Sequence, residues 1–393
     1  MTPTIKKKNL GQFFTSNANY IFKGFEKFVK DKNITDPFAG NGDLLNWAKS
    51  NGASSLKGFD VDKSLESKII SFNDSLLNPK KYKFIITNPP YLNINKASRE
   101  TKDKYFFHSQ YEDLYQISLS SILNSEEGII VVPINFLSAE NSTKIRDVFF
   151  GNFEIIRLNI FKHRVFEDTS YNVISFYFRR KKNLSQSINK INATIFPEGE
   201  KIFFTLKKEH NWQFGGEFLK KIQKVKNHLG VKRLTREFLD EGNEEVILAV
   251  QNPKYKTKVN LSSKTKKLLE NNIIVLKAID SKNGDQIKLD DIRNYDVSGI
   301  LGKNTSRNMA HLIFNKNLPL KEQEKLIEKF NSVLYKTRQK YFSLFLTNFR
   351  DNGRKRISFD LVYRMINYIY QKDINPGYSS QPAFKLRDRF ITA

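Results

Sequence analysis

Along the first 180 residues, short apolar runs alternate with stretches whose hydrophobic positions recur every three to four residues. Such runs read as strands buried on both faces, and the alternation predicts a mostly parallel α/β sheet. Strands are expected at Asn33–Pro37, Ser55–Asp60, Lys68–Asn73, Lys83–Thr87, Gly128–Pro133, Glu154–Phe161 and Asn172–Arg179. A first helix is expected over Asn17–Lys32: Ser16 can cap it, and Ile21, Phe22, Phe25, Phe28 and Val29 recur at helical spacing. A second is expected over Asp113–Leu123. Between Asp62 and Lys68 the crossover is so short that its helix is about one turn or absent. The polar segment Lys181–Ser187 then marks a boundary, dividing the chain into 1–184 and 185–393. Beyond it, β-prone pieces (Lys201–Leu206, Glu245–Val250, Asn272–Ile279) lie among lysine-rich loops, and Lys321–Asn348 and Phe359–Gln371 read as helices.

The run Lys83–Thr87 ends in Asn88-Pro89-Pro90-Tyr91. This combination suits a flat base held by its exocyclic amine. The amide oxygen of Asn88 and the carbonyl of Pro89 can each accept one N–H, which localises the nitrogen lone pair. Pro89 and Pro90 fix φ and remove two backbone donors. Tyr91 offers a ring for stacking. Taken alone, Pro-Pro after a strand is also a common turn.

Three further strand ends carry candidate chemistry. Asp36-Pro37-Phe38-Ala39-Gly40-Asn41-Gly42 joins the first strand to a helix containing Leu44, Leu45 and Trp47. Its glycines allow a tight turn and close ligand approach, although the spacing is not that of the dinucleotide fingerprint. Asp60 is placed to accept both hydroxyls of a ribose, and Asp74 to accept an exocyclic amine. In isolation, a solvated turn carboxylate and a helix cap explain those two equally well.

Composition narrows the chemistry. Cysteine is absent, which excludes disulfides, thiolate nucleophiles and cysteine metal sites. It also argues against attack on cytosine C5, which needs a nucleophile; transfer to an exocyclic amine needs none. The five histidines show no metal-ligand spacing, so no metal is expected. Hydrophobic residues make up 39% of the chain, with no run long enough to span a bilayer and no signal-type stretch after the basic N-terminus. A soluble, cytoplasmic protein is expected. The net charge of +25 is uneven. Residues 1–180 hold 25 Lys and Arg against 19 Asp and Glu, a net of +6. Residues 181–393 hold 41 against 22, a net of +19, which points to a polyanionic partner for the second half.

Together these motifs resemble the gamma class of N6-adenine-specific DNA methyltransferases of type II restriction–modification systems, in both content and order. The resemblance covers about residues 8–180. It implies a Rossmann-like S-adenosylmethionine-dependent methyltransferase domain with a seven-stranded, mostly parallel sheet, followed by a mixed α+β DNA-recognition domain. Leu10-Gly11-Gln12-Phe13-Phe14-Thr15 looks like the family's N-terminal cofactor motif, which puts Gln12, Phe14 and Thr15 at the methionine end. Asp36, Pro37, Phe38, Ala39, Gly40 and Gly42 look like its glycine loop. Gly58-Phe59-Asp60-Val61-Asp62 looks like the ribose-binding strand end, with Asp60 in the acidic position and Val61 beside the cofactor's adenine. The short crossover after Asp62 departs from the family and abbreviates this wall. Asn73-Asp74-Ser75-Leu76-Leu77 looks like the adenine-contact motif, with Asp74 and Ser75 as contacts. Asn88 to Tyr91 is the catalytic motif in its adenine form, Asn88 also touching cofactor. Val165-Phe166-Glu167-Asp168-Thr169-Ser170 resembles the later motif whose aromatic stacks on the flipped base, which makes Phe166 the second face opposite Tyr91.

The resemblance further implies S-adenosyl-L-methionine as cofactor and duplex DNA as partner. A monomer is expected, with a cognate restriction endonuclease in the same system that does not associate stably. Three rivals stay open on the residues alone: an RNA methyltransferase acting on a purine amine, a protein-glutamine methyltransferase, and a non-catalytic DNA-binding protein on this fold.

Overall fold

Five short apolar runs pair side by side and in parallel: β1 Asn33–Asp36, β2 Ser55–Asp60, β3 Ile70–Phe72, β4 Tyr82–Thr87 and β5 Ser125–Pro133. The computed structural model describes residues 15, 17–166, 172–280, 284–303, 308–348 and 354–377. β6 (Phe153–Phe161) and β7 (Val173–Arg180) complete the expected set, with β7 running antiparallel between β5 and β6. β8 (Ile188–Phe196) pairs in parallel with β6, and β9 (Glu200–Lys207) pairs antiparallel with β8. The order is β3-β2-β1-β4-β5-β7-β6-β8-β9. The reversal of winding between β1 and β4 opens a crevice at the carboxyl ends of the strands, the usual ligand position in such sheets.

All seven expected strands form, but the sheet has nine. The expected boundary at residue 184 therefore falls inside it. The polar run that suggested a linker is anchored: Lys181 is buried, its ammonium donates to the carbonyl of Gln186 at 2.8 Å, and it sits 4.8 Å from the Trp212 ring centre. A charged side chain can bury its stem and still satisfy its head, which a reading of polarity alone misses. The chain instead divides into one unit of Met1–Gly216 with Leu344–Arg354, and another of Glu217–Ser343 with Lys355–Ala393.

The expected helix over Asn17–Lys32 is broken into Ala18–Ile21 and Glu26–Val29. Gly24 between them has φ +85°, a region closed to most side chains, and a Cβ there would lie 2.7 Å from Arg157 Nη2. The apolar spacing survives the break, so Ile21, Phe22, Phe25 and Val29 are still buried. The helix Asp43–Ser50 buries Leu44, Leu45, Trp47 and Ala48. The crossover after Asp62 holds a single turn, Lys63–Leu65, within what its length allowed.

The second unit carries two small sheets. One has β10 (Lys232–Arg233), β16 (Met309–Ile313), β13 (Ile274–Lys277) and β14 (Lys288–Asp291) in the order β10-β16-β13-β14. The other has β12 (Asn252–Leu261), β11 (Glu241–Val250) and β15 (Gly299–Leu301). Leu234, Val246, Leu248, Leu261, Leu269, Leu301 and Ile313 form a core between them. The expected long helix runs Leu320–Lys340, shorter than the pattern proposed, and the last runs Phe359–Ile369. Arg338 is buried and grips Asp280 with two hydrogen bonds of 2.7 and 3.0 Å. Among the described residues, no helix is long and apolar enough to cross a membrane, and no cluster of side chains could hold a metal ion.

His311 on β16 gives this unit a pH response. It is fully buried, its Nε2 lies 2.6 Å from the carbonyl of Asn272, and its Nδ1 has no partner. Burial lowers its pKa to about 4. The native state thus refuses a proton that the unfolded chain binds below about pH 6.5. Stability is complete above that pH and declines as pH falls toward 4, by roughly 3 kcal/mol at the limit. Hydrogen exchange of β13 and β16 amides should therefore quicken between pH 6.5 and 4, after correction for intrinsic rates. His311→Gln should remove most of that dependence; equal pH slopes in both proteins would contradict the assignment.

Candidate active site

The carboxyl ends of β1, β2, β3 and β4 carry the residues singled out from the sequence. Parallel pairing puts all four ends on one edge of the sheet. Asp36 closes β1 and is 1% exposed. Its Oδ1 accepts from Phe38 N at 3.0 Å and from the Thr87 hydroxyl at 2.6 Å. Its Oδ2 is buried and has no partner. Burial pushes the carboxyl up to about 7, against the two hydrogen bonds that lower it.

The glycine loop turns immediately afterwards. Gly40 and Gly42 adopt φ of +52° and +84°. A Cβ built on Gly40 meets nothing within 4 Å, so the loop has open space above it. Pro37 and Ala39 are buried and Phe38 is half-buried. Asp60 ties this loop to the end of β2: its Oδ2 accepts from Gly40 N at 2.9 Å and its Oδ1 from Asp62 N at 2.8 Å. The Val61 amide also hydrogen-bonds this carboxylate. Burial raises its pKa. Val61 beside it is half-buried.

Asp74 and Ser75 follow β3 and are both buried. Asp74 Oδ1 accepts from Leu76 N at 3.2 Å, as a local cap does. Its Oδ2 accepts from the Tyr105 hydroxyl and from the Lys104 ammonium, each at 2.9 Å. Sequence reading missed these two partners. They lie in Lys102–Phe106, a lysine-rich stretch without strand or clear helical periodicity, and one turn of π-helix presents them.

Asn88 follows β4. Its amide nitrogen donates to Thr15 Oγ1 at 3.1 Å, which places Thr15 against Asn88. Its Oδ1 accepts from the Tyr91 hydroxyl, which also donates to the carbonyl of Val131 at 3.2 Å. Pro89 is buried and Pro90 is half-buried. Tyr91 is 2% exposed, and burial holds its hydroxyl well above the usual range. The ring therefore shows no exposed face for stacking; its visible role is to fix the Asn88 carboxamide. Phe166 is also 2% exposed, with its carbonyl accepting from Arg164 Nε at 2.6 Å. His163 pairs with the Tyr20 hydroxyl at 3.3 Å. Gln12 and Phe14 lie outside the described residues, as does the segment 167–171 after Phe166.

These groups fit S-adenosyl-L-methionine. The orphaned Asp36 oxygen, the open glycine turn and the carboxylates of Asp60 and Asp74 at neighbouring strand ends suit a ligand with an ammonium, a ribose and an aminopurine.

Comparison with known proteins gives the same direction. Residues 5–166 match the model of the Eco57I restriction-modification methylase family. The type II methyltransferase M.HincII of Haemophilus influenzae is 29% identical over 204 residues, which are 48% of this chain and 40% of that protein. The type II methyltransferase M.HindII of Haemophilus influenzae is 29% identical over 204 residues, 48% of this chain and 39% of its own. The match thus spans about two fifths of each relative's length. Among solved structures, the type IIL restriction-modification enzyme MmeI in complex with DNA aligns at a TM-score of 0.49 and 12% identity, covering 92% of this chain and 64% of that one. Residues 5–166 are thus similar to the Eco57I restriction-modification methylases, the kind of protein its motifs resemble.

Proposed function

We propose that this chain is an S-adenosyl-L-methionine-dependent DNA methyltransferase that modifies N6 of an adenine flipped out of a specific duplex site, as part of a restriction–modification system. The observation that carries the reading is the fixed carboxamide of Asn88, held between Thr15 and Tyr91 at the strand edge that also bears Asp36, Asp60 and Asp74. With its nitrogen donating to Thr15, the oxygen of Asn88 is the acceptor end of the carboxamide, the chemistry that a base amine requires.

The bound cofactor supplies an activated methyl group on a sulfonium. Asn88 Oδ1 and the carbonyl of Pro89 accept the two amine protons and draw the nitrogen lone pair out of ring conjugation. Held this way, the lone pair would be aimed at the methyl group that the cofactor would supply, and the amine proton released would pass to solvent. Catalysis of this kind is mainly positioning and needs no nucleophile from the protein. Because Tyr91 and Phe166 are both buried, base entry requires that at least one ring be uncovered before the base can stack.

Charge supports the polymer. The second half carries the larger excess, and β12 exposes Lys254, Tyr255, Lys256 and Lys258 in close succession, with Tyr255 70% exposed. A basic edge strand with an aromatic suits phosphates and bases. Neither the RNA nor the protein-acceptor reading draws specific support from the site. A separate cognate endonuclease and a monomeric state complete the proposal.

Asn88→Ala should retain cofactor affinity and lose at least about 100-fold in turnover, since proximity and orientation supply most of the rate. Tyr91→Phe should lose about tenfold by freeing the carboxamide, a loss typical of one hydrogen bond. Single-turnover kinetics with saturating cofactor measure both; near-normal turnover of Asn88→Ala would remove Asn88 from its role. Replacing Lys254 and Lys256 together with Ala should reduce the slope of log K against log salt for duplex DNA by about 1–2. An unchanged slope in the full chain would take β12 out of the DNA contact.

A further inference from the structure

Asp74 is held more firmly than a cofactor contact at a loop requires. The segment between Tyr91 and the helix Leu114–Ser121 packs Leu92, Ala97, Tyr105, Phe106 and Leu114 into one buried cluster, with Leu76 against it. That packing brings Tyr105 and Lys104 onto a single oxygen of Asp74, Oδ2, each at 2.9 Å. The other oxygen, Oδ1, accepts only the local Leu76 amide among the described residues, at 3.2 Å. Rotation of the carboxylate would break two charge-assisted hydrogen bonds on a group that is 8% exposed. A carboxylate accepts hydrogen bonds and does not donate them, so the oxygen left toward the site can serve only as an acceptor. Burial would lower the Lys104 ammonium, yet its bonds to Asp74 and Tyr105 hold it above its ordinary value. Burial pushes the Tyr105 hydroxyl up to about 12, so it remains a donor.

We infer that Tyr105 and Lys104 are positioning residues that lock Asp74 as an acceptor-only carboxylate with Oδ1 turned to the cofactor, and so set selectivity for a 6-aminopurine over a 6-oxopurine. The inference rests on the proposed cofactor reading. A 6-amino group donates to Oδ1, whereas the 6-oxo group of hypoxanthine opposes an ionised oxygen with another oxygen. Without the lock the carboxylate can rotate, and no oxygen is then fixed opposite the 6-amino group. Neither side chain needs to touch the ligand. Tyr105 also lies in the same cluster as Leu92, next to the catalytic tetrapeptide, which gives the lock a stable base.

The test is calorimetric titration of the full chain with S-adenosylhomocysteine and with S-inosylhomocysteine, its deaminated analogue. The native protein should prefer the amino compound by at least about tenfold, the scale of one hydrogen bond to a charged group. Tyr105→Phe and Lys104→Met should each lose most of that preference, with the change confined to the amino compound. In turnover they should raise KM for the cofactor and leave kcat at saturation unchanged. A merely structural role would weaken both ligands equally, and that result would overturn the inference. Lys104→Met removes a half-exposed side chain, so it keeps the test valid if Tyr105→Phe fails to fold. Tight but equal binding of the two compounds by the native protein would sink the lock and leave the methyltransferase reading standing. Failure to bind either compound would sink both.

Discussion

Three carboxylates, Asp36, Asp60 and Asp74, are buried at the ends of adjacent parallel strands, and the site depends on how that cost is met. A buried charge is tolerated only where hydrogen bonds replace its water. Each of the three solves this differently. Asp60 uses backbone amides of the glycine loop and its own turn. Asp74 uses the phenol and ammonium of a distant segment. Asp36 satisfies one oxygen with Phe38 and Thr87 and leaves the other without a partner. Asp36 ends β1, one of the two strands between which the sheet reverses its winding. A cationic, hydroxylated ligand there would complete what the protein leaves unfinished.

The hydrogen bonds that stabilise the acids also connect the site. Thr87 links Asp36 to the end of β4, one residue before Asn88. Asn88 in turn binds Thr15 and Tyr91. A change at the cofactor side thus has a short covalent and hydrogen-bonded path to the amide that would hold the target amine. Tyr91 belongs to this framework in the conformation seen here, since its hydroxyl bridges Asn88 and Val131.

Much of the site was legible in the sequence because it sits where strands stop. The apolar runs located β1 to β7 to within a few residues, and the motifs at their ends fall on one edge. Three features were not legible. The break at Gly24 leaves the helical spacing of buried residues intact, so periodicity alone reads straight through it. The segment of β8 carries no strand expectation and that of β9 falls beyond the expected boundary, because Lys181 looks like linker, whereas it is buried with its ammonium satisfied by carbonyls. Tyr105 and Lys104 reach Asp74 across about 30 residues of sequence, and no local pattern encodes such a contact. The orientation of Tyr91 belongs to the same class: its residue type suggested stacking, but its hydroxyl partners decide where the ring lies.

The central claim is transfer of a methyl group to adenine N6 in duplex DNA. It is tested most directly by incubating the full chain with methyl-labelled S-adenosyl-L-methionine, unmethylated genomic DNA and, separately, total RNA. Each product is then digested and the labelled nucleoside identified. Label in N6-methyldeoxyadenosine, with none in RNA, is the predicted result. Label in another nucleoside, in RNA alone, or in neither polymer despite cofactor binding would contradict it.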